Sequence, residues 1–174
     1  MPRTPKRNTR NLLCCALLIA PISLANPAWA QSDEDAGWKI YAGPSGTRVD
    51  IPSKTFAASA GPPEKGVGER FTTTDKRAEL SIYVLRNTEG HTPASYLRKY
   101  MTERTSNLHY HRVARHFFAV SRFNGDRILY RRCNFSRDRT GTIHCIDLAY
   151  PAREKRAWDH PVTRISRSLR PLHS

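Results

Sequence analysis

The alternation of apolar and polar residues is strongest in the last third of the chain. Arg127–Phe135 and Thr142–Tyr150 are rich in β-branched and aromatic residues, which favours two strands. The polar loop 137–141 between them ends in Gly141, as hairpins with loops of this length prefer. The pattern therefore predicts an antiparallel hairpin.

The register of this hairpin follows from centring it on Arg139. Cys133 then lies opposite Cys145, and Arg131 lies opposite Asp147 on the same face. Opposed cysteines have Cβ atoms close enough to bridge, so we expect a disulfide. Since the other face is apolar and the cysteine face is partly so, we also expect the hairpin to be covered on both sides. The residues of that apolar face are Ile128, Tyr130, Ile146, Leu148 and Tyr150.

Further strands and two helices are predicted around the hairpin. Thr92-Pro93 supplies a hydroxyl cap and a proline at the first helical position, so a helix begins there. A second helix is predicted to begin at Pro151 and to end at Pro171. The other strand candidates are Trp38–Ala42, Thr47–Ile51, Glu69–Thr73, Ala78–Leu85 and Leu108–Phe123, the last of them broken near 115–117.

Two local signals give sharper predictions. Asn124-Gly125 suits a left-handed hairpin turn, which would place Ala119 beside Tyr130 in a C-terminal meander. Pro161 lacks the N–H that a helix interior needs, so we expect a break or a kink near residues 159–161, with Asp159 capping the second segment. Because such helices and strands pack as layers around one core, we expect an α+β fold. It should have an antiparallel sheet of about six or seven strands, flanked by helices.

The start of the chain has the features of an export signal. A segment with four Lys or Arg residues precedes the apolar stretch Leu12–Ala25, and Ala28-Trp29-Ala30 has the A-x-A form of a cleavage site. A membrane anchor is the alternative, but the apolar run is short and contains Pro21. We therefore predict cleavage near Ala30 and a periplasmic or secreted product. The predicted parts are a cleaved signal peptide at 1–30, a disordered linker at 31–37 and a single α+β domain at 38–171.

Export changes how the composition is interpreted. Without the signal peptide the cysteines that remain are Cys133 and Cys145, in a compartment where disulfides persist. Four basic residues also leave, so the formal charge falls from +14 to +10. Residues 31–96 hold 8 basic and 9 acidic residues, whereas those from Leu97 onward hold 17 and 6. The second half therefore carries all of the excess positive charge.

Several segments resemble known proteins. The most distinctive are Cys133-Asn-Phe-Ser136, Ile143-His-Cys145 and Asp147–Trp158, which follow a Gly68–Asp75 hairpin and an Ala94–Leu97 helix. On these segments the chain resembles uncharacterised small exported proteins of alphaproteobacteria. In the order of its elements it is also similar to the PsbP-like α/β/α sandwich of the extrinsic photosystem oxygen-evolving subunit and of the Ran-binding import factor. The resemblance implies a sandwich fold and transfers no catalytic residue.

The basic second half is the strongest functional signal in the sequence. Guanidinium groups offer paired donors in a fixed fork that suits phosphate and carboxylate groups. We therefore expect contacts with anionic envelope lipids, polysaccharide or an acidic protein, while export argues against nucleic acid. A solvated face without a ligand is the alternative interpretation. The candidate anion-binding residues are Arg131, Arg132, Arg137, Arg139, Arg153 and Arg156.

Signals for catalysis are sparse. The sequence has no nucleophile elbow, phosphate-cradling glycine loop or paired-carboxylate motif. His109 and His111 are expected on one face of a strand, where they could bind a metal together with His144 of the neighbouring meander. The sequence favours a non-catalytic accessory or binding protein without a cofactor. The alternative is a small metal-binding protein or hydrolase that uses these three histidines.

Overall fold

The computed structural model of the chain describes Met1 and residues 37–105, 108–137 and 141–172, with the backbone alone at 102–105. The predicted signal peptide, the linker up to residue 36 and Arg139 lie outside these residues. In the described part of the chain, no helix is long and apolar enough to cross a membrane. The strands are β1 (Trp38–Ala42), β2 (Thr47–Pro52), β3 (Ala58–Ser59), β4 (Val67–Thr72), β5 (Glu79–Arg86), β6 (Leu108–Val113), β7 (Phe117–Asn124), β8 (Arg127–Phe135), β9 (Thr142–Pro151) and β10 (Arg170–Pro171), and the helices are α1 (Pro93–Thr105) and α2 (Lys155–Ser168).

Seven strands form an antiparallel sheet in the order β3-β4-β5-β9-β8-β7-β6. The β8–β9 hairpin has the predicted register, with Cys133 opposite Cys145 and Arg131 opposite Asp147. β7 pairs with the other side of β8, and β6 pairs with β7, which completes the meander. The predicted fold class, an α+β sandwich with flanking helices, is confirmed.

A second, smaller sheet joins the beginning and the end of the described domain. It consists of β1, β2 and β10, with β2 in the middle. Arg170 of β10 pairs with Arg48 of β2, so the chain forms a further strand after α2. The sequence predicted β1 and β2 but not this separate sheet, because a two-residue strand leaves no periodic signal.

A different helix covers each face of the seven-stranded sheet, and we name the faces after the helices. On the α1 face, Leu97 and Met101 pack near the disulfide of Cys133 and Cys145, whose sulfur atoms are 2.08 Å apart. On the α2 face, α2 and the small sheet enclose a larger core. The expected cover on both sides of the hairpin is therefore confirmed. The core of the α2 face includes Val49, Leu80, Ile82, Ile128, Ile146, Leu148, Trp158, Val162 and Ile165.

The turn between β7 and β8 differs from the prediction. Ala119 lies opposite Arg132 instead of Tyr130, because the loop is Gly125-Asp126 and not Asn124-Gly125. Gly125 has a φ of 60°, and glycine at the first central position is typical of a type II′ turn. Since the register moves by two residues, each side chain stays on its predicted face.

The last helix also corrects a prediction. α2 runs unbroken through Pro161, so a break at this point and a cap at Asp159 are wrong, while a kink stays a prediction. Asp159 instead forms an ion pair with Lys155, one turn earlier in the helix. Burial of Trp158 and Ile165 against the α2 face offsets the hydrogen bond that the proline removes.

Candidate anion-binding groove

Two consecutive arginines of β8 lie on opposite faces of the sheet, because side chains alternate along a strand. Arg131 lies on the α1 face, as does Cys133 two residues later. Arg132 lies on the α2 face, as does Tyr130. Both arginines belong to the predicted anion-binding set, so that set does not lie on one face of the sheet.

Arg131 is held by Asp147 in a two-point ion pair. Its Nε donates to Oδ1 of Asp147 over 2.6 Å, and a terminal amino group donates to the other carboxylate oxygen. The Tyr83 hydroxyl donates to the same carboxylate over 3.2 Å. Burial opposes the charge of Arg131, but the hydrogen bonds and the charge of Asp147 outweigh it and raise the pKa of the guanidinium. Arg131 is already neutralised within the fold, and an external anion would have to displace Asp147.

Three arginines meet on the α2 face without such a partner. Arg112 of β6 lies opposite Ala119 of β7, which in turn lies opposite Arg132 of β8. Because the Ala119 side chain is small, a groove remains between the two arginines, and Arg167 of α2 lines it as well. Within residues 37–105, 108–137 and 141–172, no carboxylate forms an ion pair with any of the three. We name this surface, formed by Arg112, Arg132 and Arg167, the arginine groove.

Phe117 and Asn134 fix the position of Arg132. The guanidinium carbon of Arg132 lies 4.1 Å from the ring centre of Phe117, and that of Arg112 lies 5.5 Å from the same ring. Nε of Arg132 donates to Oδ1 of Asn134 over 3.0 Å. Asn134 is itself held, because its side-chain nitrogen donates to the Leu169 carbonyl over 2.7 Å. These contacts orient the Arg132 guanidinium in the absence of a ligand.

The arginine groove is positively charged and has a volume of about 390 Å³. Burial lowers the pKa of Arg132, and the charges of Arg112 and Arg167 lower it as well. On one wall, the hydroxyls of Tyr130 and Ser166 form a hydrogen bond of 2.6 Å. Among the described lining residues the carboxylate is that of Asp159, which pairs with Lys155. An anion in the groove would therefore meet guanidinium groups whose charges are not compensated.

Of the other predicted anion-binding arginines that the structure describes, Arg137, Arg153 and Arg156 do not line the groove. Arg137 lines a neighbouring cavity that Arg132 also lines. Arg137 is exposed just after β8, whereas Arg153 and Arg156 are exposed beyond the far end of β9. β9 has 10 residues, so the two groups are separated by roughly 30 Å. The arginines of the hairpin and of the following segment therefore do not form one patch, because an extended strand carries its ends apart.

The structure does not bring the three candidate histidines together. A β-bulge at the start of β6 shifts its register. As a result His109 contacts Phe123, with ring centres 5.2 Å apart, on the α2 face. His111 lies opposite Val120, which belongs to the α1 face. The prediction that the two histidines share one face is wrong, because a bulge inserts one extra residue into the alternation.

His144 is buried between the two sheets. Its Nδ1 lies 2.8 Å from the Thr47 hydroxyl, and its Nε2 lies 3.0 Å from the Thr142 hydroxyl. Burial lowers the pKa of the ring. β9 and β6 are separated by β8 and β7, which corresponds to roughly 14 Å. Among the described residues, no group of three or more His, Cys, Asp or Glu side chains could hold a metal ion.

The sequence analysis missed Arg112 and Arg167 as partners of Arg132. The alternation of side chains along β8 is a local signal, and it could have assigned Arg131 and Arg132 to opposite faces of the sheet. The row formed by Arg112 and Arg132 depends on the bulge in β6 and on the exact turn after β7, neither of which the periodicity reveals.

The architecture as a whole places the chain among proteins with a PsbP-like α+β sandwich. A solution structure of cyanobacterial PsbP (CyanoP) from Synechocystis sp. PCC 6803 matches it with a TM-score of 0.57 and 12% sequence identity, over 85% of this chain and 98% of that chain. No protein-family model and no curated protein matches the chain. At this level of identity, the likeness shows the fold alone.

Proposed function

We propose that the protein is an exported, non-catalytic accessory or binding protein that holds an anionic envelope component through its basic second half. The observation that supports this proposal is the arginine groove, in which Arg112, Arg132 and Arg167 lie together without a carboxylate partner among the described residues. Like charges held together repel each other, and a bound anion relieves that repulsion. The arginine cluster raises the free energy of the unbound protein, and binding of an anion lowers it again. Such a cluster suits a binding role.

The partner follows from the chemistry of the guanidinium group. Envelope lipids, acidic polysaccharide and acidic proteins all present phosphate or carboxylate groups that match its paired donors. The PsbP-like sandwich supports an accessory role, since the extrinsic photosystem subunit that the sequence resembles has the same kind of fold. We further propose that the chain has relatives among the small exported proteins of alphaproteobacteria.

Export is the second part of the proposal. The basic and apolar segments before Ala30 support cleavage at that position, and the disulfide of Cys133 and Cys145 suits an oxidising compartment such as the periplasm. The intact mass of the protein from the native host's periplasm should correspond to a chain that begins at Gln31. A mass that retains residues 1–30 would identify the segment as an anchor.

Retention on vesicles tests the binding role. The mature chain should bind vesicles that contain phosphatidylglycerol, or lipopolysaccharide, and should not bind phosphatidylcholine alone. Retention should fall as salt is added, because exposed charges are screened beyond about 8 Å at physiological ionic strength. The variant Arg112→Ser/Arg167→Ser should lose more retention than the loop variant Arg137→Ser/Arg139→Ser. If retention is unchanged by added salt and by both variants, the basic half is a solvated surface without a ligand.

A further inference from the structure

We propose that the arginine groove is a binding site for a phosphate monoester, with Arg132 as its central ligand. This inference rests on the proposed function, because it names the anion that the groove takes. It goes further in claiming a defined, saturable site that recognises one chemical group. A diffuse basic surface would attract any anion in proportion to charge.

The shape of the groove supports a small ligand. Arg112 and Arg132 stand two strands apart with the methyl group of Ala119 between them, and both guanidinium groups lean towards the ring of Phe117. Arg167 lines the groove from α2, so the groove has residues of both the sheet and the helix in its walls. A volume of about 390 Å³ lies near the lower end of the range for small-molecule sites. It has room for one phosphorylated group.

The charge of the groove favours a doubly charged anion over a carboxylate. Three guanidinium groups face it, and the one described lining carboxylate, on Asp159, is already paired with Lys155. A phosphate monoester carries close to two negative charges at neutral pH and three acceptor oxygens. It can therefore accept from more than one guanidinium fork at once, which a single carboxylate does less well.

The position of Arg132 favours recognition by geometry as well as by charge. Its Nε is committed to Asn134, and its flat face to Phe117, so the terminal amino groups remain to donate to a ligand. Because the guanidinium is already oriented, little further side-chain entropy is lost on binding. The groove also has hydroxyl groups on its walls, at Ser121 and Ser166, which can donate to phosphate or ester oxygens.

A phosphate monoester has two possible sources, a soluble phosphorylated compound and the headgroup of a lipid such as phosphatidic acid. Calorimetric titration of the mature protein with glycerol 3-phosphate tests the first source. Binding to vesicles that contain phosphatidic acid, compared with phosphatidylglycerol at equal charge, tests the second. Saturable binding in either arm supports the site, and the arm that binds more tightly identifies the source.

Matched variants connect the binding to the groove. Arg132→Lys keeps the charge but loses the fork, the bond to Asn134 and the flat contact with Phe117, so affinity should fall at least tenfold. Arg153→Ser removes an exposed charge beyond the far end of β9 and should change affinity less than twofold. Unchanged thermal unfolding of both variants shows that each is folded, and perturbation of the Ala119 amide resonance by glycerol 3-phosphate locates the ligand.

Two results would overturn the proposal. One is the absence of saturable binding of both glycerol 3-phosphate and phosphatidic acid vesicles. The other is equal affinity of the wild type and Arg132→Lys. If salt-sensitive retention on phosphatidylglycerol vesicles persists in either case, the basic half still binds anions. The proposed function then stands, and only the proposal of a phosphate monoester site is wrong.

Discussion

Arg131 and Arg132 are adjacent in the chain but lie on opposite faces of the sheet, and only the charge of Arg131 is compensated by a carboxylate among the described residues. On the α1 face, Asp147 compensates the charge of Arg131, and Tyr83 donates to the same carboxylate. On the α2 face, Arg132 contacts Phe117 and Asn134, neither of which carries a negative charge. A compensated charge contributes to the stability of the fold, whereas an uncompensated one is available to a ligand. The comparison separates the structural arginine from the candidate functional one.

The largest effect is expected on the α1 face, from removal of the disulfide. Its cysteines are separated by 12 residues, so the variant Cys133→Ala/Cys145→Ala should lose about 3 kcal/mol of unfolding free energy in the chain-entropy view. Denaturant unfolding of both proteins without reductant measures the difference. Binding of glycerol 3-phosphate should be retained, because the groove lies on the other face. Equal stability, or free thiols in the unreduced wild type, would contradict the role given to the disulfide.

A smaller loss is expected when the compensated arginine loses its partner. Asp147→Asn removes the negative charge beside the part-buried Arg131 guanidinium. Removing one member of a buried pair typically costs 3–5 kcal/mol, but the Asp147 side chain is 32% exposed, so we expect about 2 kcal/mol. The control is Arg167→Ser on the α2 face, which removes an uncompensated charge and should stay within about 0.5 kcal/mol. If chemical denaturation gives the same loss for both variants, the two faces do not differ as described.

The smallest effect concerns His144 and pH. Burial lowers the pKa of His144 in the folded protein from its ordinary value of 6.5. Its contribution to stability is therefore complete above about pH 6.5 and is lost as the pH falls through the folded pKa. His144→Gln should flatten the decline of unfolding free energy between about pH 7 and pH 5, whereas the exposed His111→Gln should leave it unchanged. Identical pH profiles for the wild type and His144→Gln would exclude this residue as the cause.

More of the fold than of the candidate site could be predicted from the sequence. The alternation in β8 and β9, with the opposed pairs Cys133–Cys145 and Arg131–Asp147, was sufficient to set the central register. These signals are local, and they agree with each other. The small sheet could not be predicted, because it depends on the distant pairing of Arg170 with Arg48.

The site depends on details that local patterns do not contain. Arginines that are close in sequence were expected to act together, but Arg131 and Arg137 are not in the groove with Arg132. Its partners, Arg112 and Arg167, come from an edge strand and from a helix. Pro161 would have placed Arg167 on a separate segment, and it is packing of the helix against the sheet that keeps α2 continuous.

The bulge in β6 has one more consequence, for the behaviour of the protein at high concentration. β6 is the last strand at one side of the seven-stranded sheet, so its outer backbone groups are available to a strand from another molecule. The extra residue at His109 interrupts the regular spacing of those groups and increases the local twist. A flat strand from a second molecule would therefore meet an irregular hydrogen-bond ladder where β6 begins, and bulges of this kind make an edge a poorer template for pairing between molecules.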